Sequence, residues 1–215
     1  MRKITFLMML LAGVASAQTA ADYLARIPKY NESSQFEDDK YKGMTWQQFE
    51  ALDMAKEFVD PDNYDYDLLS AAIFFATNKY RASQHIAPLV FEGHLRDAAA
   101  IHTYEMIRRK IFDHINQADA KLKMPNNRTE LCGYAGERIA ENLERDYVDL
   151  QKPLTYMELA EKAIRDLSRS KEHNAHMLDP NLKQVGCAIM FEAQPNSDGY
   201  WFWRLTQDFG KPWDQ

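Results

Sequence analysis

Apolar residues return with a helical period in three stretches of the chain. Leu69, Ala72, Ile73, Ala76 and Tyr80 fall on one stripe, and after the turn at Ala87-Pro88 a second stripe carries Leu95, Ala98, Ala99, His102 and Met106. A third begins at Thr155-x-x-Glu158, whose hydroxyl and carboxylate have the capping-box spacing, and presents Ala160, Ala163, Ile164 and Leu167 before ending near Ser170. Beyond Asp179-Pro180 the period changes. Residues 185–191 form a short apolar run, residues 195–199 are turn-formers, and residues 200–209 are rich in aromatic and β-branched side chains, which together predict an antiparallel hairpin. Helices followed by antiparallel strands predict a layered α+β domain rather than a parallel βαβ sheet.

Two stretches lie outside that pattern. Residues 18–63 are polar and acidic around one clear helix, opened by the capping box of Thr45 and Gln48 and carrying Trp46, Phe49 and Leu52 on one face. This segment is an N-terminal extension, either packed on the domain or linking it to something else, and its aromatic residues favour packing. Residues 112–137 turn polar around Pro125-Asn126-Asn127 and predict a long loop of the kind that carries function.

Met1-Arg2-Lys3, an apolar run from Ile4 to Val14 and Ala15-Ser16-Ala17 have the order of a secretory signal, with cleavage expected after Ala17. That apolar run is shorter than the roughly 20 residues a spanning helix needs, and no later stretch is apolar enough. The destination implied is secreted or periplasmic. Loss of Arg2 and Lys3 with the leader moves the formal charge from -6 to -8. An acidic chain without a dense Lys/Arg run argues against nucleic acid or anionic lipid as partners. The length and 46% hydrophobic composition suffice for one full core. Two cysteines in an exported chain admit one disulfide, Cys132 to Cys187; the other reading is two buried thiols. Asn31-Glu32-Ser33 and Asn127-Arg128-Thr129 fit the glycosylation pattern, which matters only in a host that modifies such sites.

The stretch from Leu95 to His114, with Ala99, His102, Met106 and Phe112 at matching spacing, resembles the second helix and following loop of bacterial extracellular CAP (SCP-like) domains. CAP denotes the cysteine-rich secretory, antigen 5 and pathogenesis-related proteins. Four further pieces occur in the family's order: Asn78-x-x-Arg81 with Pro88-Leu89; Ala140-Glu141-Asn142-Leu143, similar to the motif Gly-Glu-Asn-Leu; Ser170-x-x-His173 followed by Met177-Leu178-x-Pro180; and Thr206-Gln207-x-Phe209-Gly210. The resemblance implies a three-layer αβα sandwich over residues 64–215, with the mainly helical extension before it. It also implies a ligand cleft at His114, Glu141 and His173, flanked by Asn142 and Ser170. Animal and plant members usually have a second glutamate where this chain has Ser170.

His114 and His173 are donors that suit Zn²⁺ or another divalent metal, and Glu141 completes a set of three; the rival reading is a hydrogen-bonded network. His176 falls one turn after His173 and is expected to cap the chain near Asp179-Pro180, while His102 reads as a core histidine. Glu137 and Glu141, four apart, raise paired-carboxylate chemistry, for which helical spacing would give the short separation; the other reading is two solvated or salt-bridged carboxylates, with Arg138 and Arg145 nearby. Phosphate loops and the Gly-x-Ser-x-Gly elbow are missing from the sequence. Three functions follow. The first is a non-enzymatic extracellular binding module for a small molecule, lipid, metal or protein. The second is a metal-assisted peptidase or esterase with His114, Glu141 and His173 as candidate catalytic groups. The third is a cell-envelope interaction protein docking through residues 18–63.

Overall fold

The computed structural model describes residues 18–213 apart from residues 29 and 31, so the expected signal peptide at residues 1–17 and the Asn31 sequon lie outside the described residues. In chain order the helices are α1 (Ala20–Leu24), α2 (Trp46–Ala51), α3 (Tyr66–Ser83), α4 (Gly93–Arg109), α5 (Pro125–Leu131), α6 (Tyr156–Ser168) and α7 (Lys171–Leu178). The strands are β1 (Val90–Phe91), β2 (Arg138–Asp149), β3 (Gln184–Phe191) and β4 (Tyr200–Lys211), hydrogen-bonded in the order β1-β3-β4-β2. Capping boxes at Thr45 and Thr155 start α2 and α6 where the sequence places them.

Side-chain alternation along β3 and β4 assigns each helix to a face of the sheet. Thr206 meets Thr103 of α4, whereas its neighbour Gln207 donates to Thr77 of α3. The sheet is therefore the middle layer of an αβα sandwich, with α4 and α5 on one side and α3, α6 and α7 on the other. Gly186 permits the closest approach: a Cβ there would stand 1.9 Å from the Arg96 backbone nitrogen of α4.

Among the elements that differ from the sequence reading, two bear on the site. Residues 125–131, placed in a loop, form α5, whose buried Arg128 and Thr129 disguise its inner face as polar. Residues 138–149 form β2, which pairs along its full length with β4 and has no strand on its other edge among the described residues. Glu137 and Glu141 are thus on or beside a strand, not a helix, and Glu137 pairs with Lys211 at 2.5 Å, so the paired-carboxylate reading fails. The disulfide is also overturned, since Cys132 and Cys187 are both free and buried. Cys132 ends α5 in a cluster with Ala98 and Ile101 of α4, while Cys187 faces the α3 side beside Gln207, so the sheet separates them. Burial pushes the Cys132 thiol up to about 12, which keeps it protonated and unreactive.

The extension is helical only in short pieces, and its apolar side chains complete the main core. Phe36 and Phe49 are fully buried, and Phe49 stacks on Phe75 of α3 at 4.5 Å. Backbone bonds from Val59 to Leu154 and from Tyr156 to Glu57 fasten it ahead of α6. Phe49→Ala is expected to cost about 3–5 kcal/mol in chemical denaturation, while Phe58→Ala, at a side chain 65% exposed, should stay within about 0.5 kcal/mol.

Candidate functional site

Glu141 sits on β2 opposite Asp208 of β4 and points to the α4 side, with 1% of its side chain exposed. A carboxylate taken that far from water needs a partner on each oxygen. Oε1 accepts from His114 Nδ1 at 2.7 Å and Oε2 from the buried Arg128 guanidinium at 2.5 Å. Arg128 reaches it because Pro125 opens α5 directly after the loop, and the same guanidinium donates to the carbonyls of His114 and Leu122. One side chain thus fixes both the carboxylate and the loop that carries the histidine.

Three more groups surround that pair. His102 of α4 is fully buried, donates Nε2 to the Asp113 carbonyl at 3.0 Å and lies 3.9 Å from Glu141. Burial holds it down at about 4, so it is neutral at pH 7, in keeping with a core histidine. Asp208 is fully buried, and neither of its oxygens accepts from a donor among the described residues. Burial and the adjacent Glu141 charge raise it well above the carboxylate range, so it is a neutral acid beside an ionised one. Burial alone would raise Glu141 too. At the acid pH where Glu141 would titrate, His102 is protonated, and its charge, the His114 hydrogen bond and Arg128 outweigh burial and hold Glu141 at about 2. Neither Arg128 nor Asp208 was singled out from sequence; the cross-strand register of β2 with β4 is the signal that finds Asp208.

His173 and Asn142 reach the site from the other face. Asn142 follows Glu141 on β2, so it points to the α7 side, where its amide donates to the His173 carbonyl at 3.0 Å and its Oδ1 meets His176 Nδ1 at 2.9 Å. It acts as a clamp between β2 and α7 rather than a cleft-lining group. His176, expected at the Asp179-Pro180 turn, is the other half of that clamp. Ser170 is the N-cap of α7, its hydroxyl accepting from the His173 backbone N–H at 3.4 Å. His173 Nδ1 is buried without a partner among the described residues, and burial first, then the His114 charge, lower the ring's pKa. The site residues expected from sequence are therefore brought together around the free edge of β2, with unequal roles. His114 is 48% exposed, His173 is half-buried, and Glu141 stands behind His114.

No group of three or more His, Cys, Asp or Glu side chains among the described residues is arranged to hold a metal. Glu141 is committed to His114 and Arg128, so it is not the third ligand. What remains is a pair of imidazoles, with His114 Nδ1 tied to a carboxylate and its Nε2 turned away from that bond. A carboxylate behind a histidine fixes the tautomer in this way at metal sites generally.

The Glu141 hydrogen bond, more than offsetting burial, raises His114 above its ordinary 6.5. In the metal-free protein, NMR titration should find His114 midway above 6.5 and His102 neutral down to about 4. Glu141→Gln should bring His114 below 6.5. Because the folded value is the higher one, the stabilisation that protonated His114 provides is complete below 6.5 and is lost as pH rises through the folded midpoint. A His114 midpoint unmoved by Glu141→Gln would contradict the assignment.

The sequence pattern of the cysteine-rich secretory protein family, CAP, matches residues 74–209. Among solved structures, an extracellular protein containing an SCP domain from Bacillus anthracis superposes with a TM-score of 0.53 at 17% identity. The match covers 71% of this chain and 44% of that one, so this chain spans less than half of that protein. An outer surface protein from Borrelia burgdorferi matches with a TM-score of 0.51 at 11% identity, over 73% of this chain and 98% of the other. A search of curated proteins finds no match. At these identities the structural likeness establishes the fold, and the family match runs from the middle of α3 to Phe209 in β4. The chain belongs to the CAP family of cysteine-rich secretory proteins.

Proposed function

We propose that this CAP-domain chain is an exported, extracellular or periplasmic binding module rather than a hydrolase, and that its ligand meets His114 and His173 beside the free edge of β2. The observation that carries this is the full commitment of the groups a hydrolase would need. Glu141 has both oxygens bonded to buried or half-buried cations and donors, which leaves it a poor general base. The Ser170 hydroxyl caps its own helix. A nucleophile, a base and an orienting group are not assembled on these residues. Two imidazoles, one partly exposed and one with an unsatisfied ring nitrogen, are what a ligand would find. The signal-like order of residues 1–17 supports export, and no helix among the described residues is long and apolar enough to cross a membrane.

A divalent metal is a second occupant favoured by one contact, the Glu141–His114 hydrogen bond, which presents His114 Nε2 as a donor. His114 and His173 would hold the ion, and Glu141 would orient His114 from behind. A bound metal would supply Lewis acidity toward a ligand oxygen.

Calorimetric titration with Zn²⁺ is expected to show weak, saturable binding of one ion that is lost in the His114→Ala/His173→Ala variant. Binding retained in that variant would remove the metal from this site. Peptide and ester substrates are expected to stay intact; turnover abolished by His114→Ala would overturn the binding-module reading.

A further inference from the structure

Helix α4 ends at Arg109, while β2 and β4 continue for several more rungs on the face that it covers. On that face Thr103 of α4 meets Thr206; farther along the strands come the cross-strand pairs Arg145–Arg204, Tyr147–Phe202 and Asp149–Tyr200. The opposite face of the same rungs is closed by α6, with Lys162 over the buried Trp203. The uncovered face therefore projects aromatic rings and guanidinium groups where a core would be expected on only one side.

Its composition is specific. Tyr147 is 43% exposed and packs against Tyr200 at 4.6 Å and Phe202 at 5.8 Å, with ring planes tilted by 47° and 60°, which gathers three rings into one stepped platform. A depression of about 350 Å³ lies between them, bounded by Arg145, Glu192 and Arg204. Arg204 is fixed at its floor by the Ile111 carbonyl at 2.6 Å and the Glu192 carboxylate at 2.8 Å, and its buried Nε has no acceptor. Arg145 lies over the half-exposed Phe112 at 4.7 Å, and no carboxylate among the described residues pairs with it.

We infer that this platform is a carbohydrate site, separate from His114, that takes an oligosaccharide bearing a carboxylate. A sugar ring is amphipathic: its C–H face packs on Tyr147 and Phe202, while its equatorial hydroxyls need donors and acceptors, which Arg145 and the part-exposed Glu192 carboxylate supply. The unpaired Arg145 guanidinium matches a carboxylate in two-point geometry and sets the preference for an acidic sugar. A single-stranded nucleic acid would also stack on rings, but its phosphates require a basic track. Here Arg145 is the one cation of the depression without a carboxylate partner among the described residues, which meets a single carboxylate and makes no track. A lipid tail would require an apolar rim, and this rim is charged.

The test is an NMR and calorimetric titration of the protein with short oligomers of galacturonic acid, of hyaluronan and of alternating N-acetylglucosamine and N-acetylmuramic acid, each against a neutral oligomer of equal length. Saturable binding of at least one acidic oligomer is expected, about tenfold or more tighter than its neutral counterpart. Tyr147→Ala should weaken it about tenfold or more, Tyr147→Phe should retain it, and Arg145→Gln should erase the difference between acidic and neutral sugars. The His114→Ala/His173→Ala variant should bind as the parent does, so failure of the metal or ligand cleft leaves this site standing. No binding of any acidic oligomer overturns the inference, as does binding unchanged by Tyr147→Ala. Tighter binding of a single-stranded oligonucleotide, or dimerisation abolished by Tyr147→Ala, would assign the face to another occupant and overturn it equally.

Discussion

A buried carboxylate on an edge strand is the constraint around which the site is organised. Glu141 is withdrawn from water, and the low-dielectric surroundings make an ionised carboxylate expensive unless its lone pairs are met. Arg128 meets it from α5, and that single guanidinium also gathers the His114 and Leu122 carbonyls of the loop before it. The pair therefore does more than neutralise charge. It joins β2, the loop after α4 and α5 into one unit, and His114 is carried into place as part of it. The neighbouring ionisable groups adjust to that choice: Asp208 stays protonated and His102 stays neutral, leaving one anion and one permanent cation at the centre.

Much of the scaffold was legible because its signals are local. The stripes of α3, α4 and α6 are periodic, and Thr45 and Thr155 cap their helices with the side chains the pattern assigns. The β3–β4 hairpin announced itself by a turn cluster between two apolar runs. Strand β2 did not, because its buried positions include Glu141 and Asn142, and a polar pair inside a strand hides the alternation that would reveal it. Helix α5 was hidden for the same reason, with Arg128 and Thr129 on its inner face. Polar residues that satisfy one another across elements look like solvent-exposed loop when only the chain is visible.

The site shows the same division. His114, Glu141 and His173 were placed by their spacing within family-like motifs, and the fold does collect them at the edge of β2. Their roles depend on partners distant in sequence, which spacing does not reveal. Asn142 and His176 form a clamp because consecutive residues on β2 face opposite layers, and Ser170 is consumed by its own helix. The two cysteines were ambiguous for a related reason: even number and export favour pairing, but the sheet stands between them.

The central claim is that the Arg128–Glu141 pair holds the site together. It is tested most directly by a double-mutant cycle in chemical denaturation using Arg128→Met and Glu141→Leu. Each single change should cost about 3–5 kcal/mol because it strands a buried charge, and the double variant should recover much of that loss. Single variants within about 1 kcal/mol of the parent, or costs that simply add, would contradict the account.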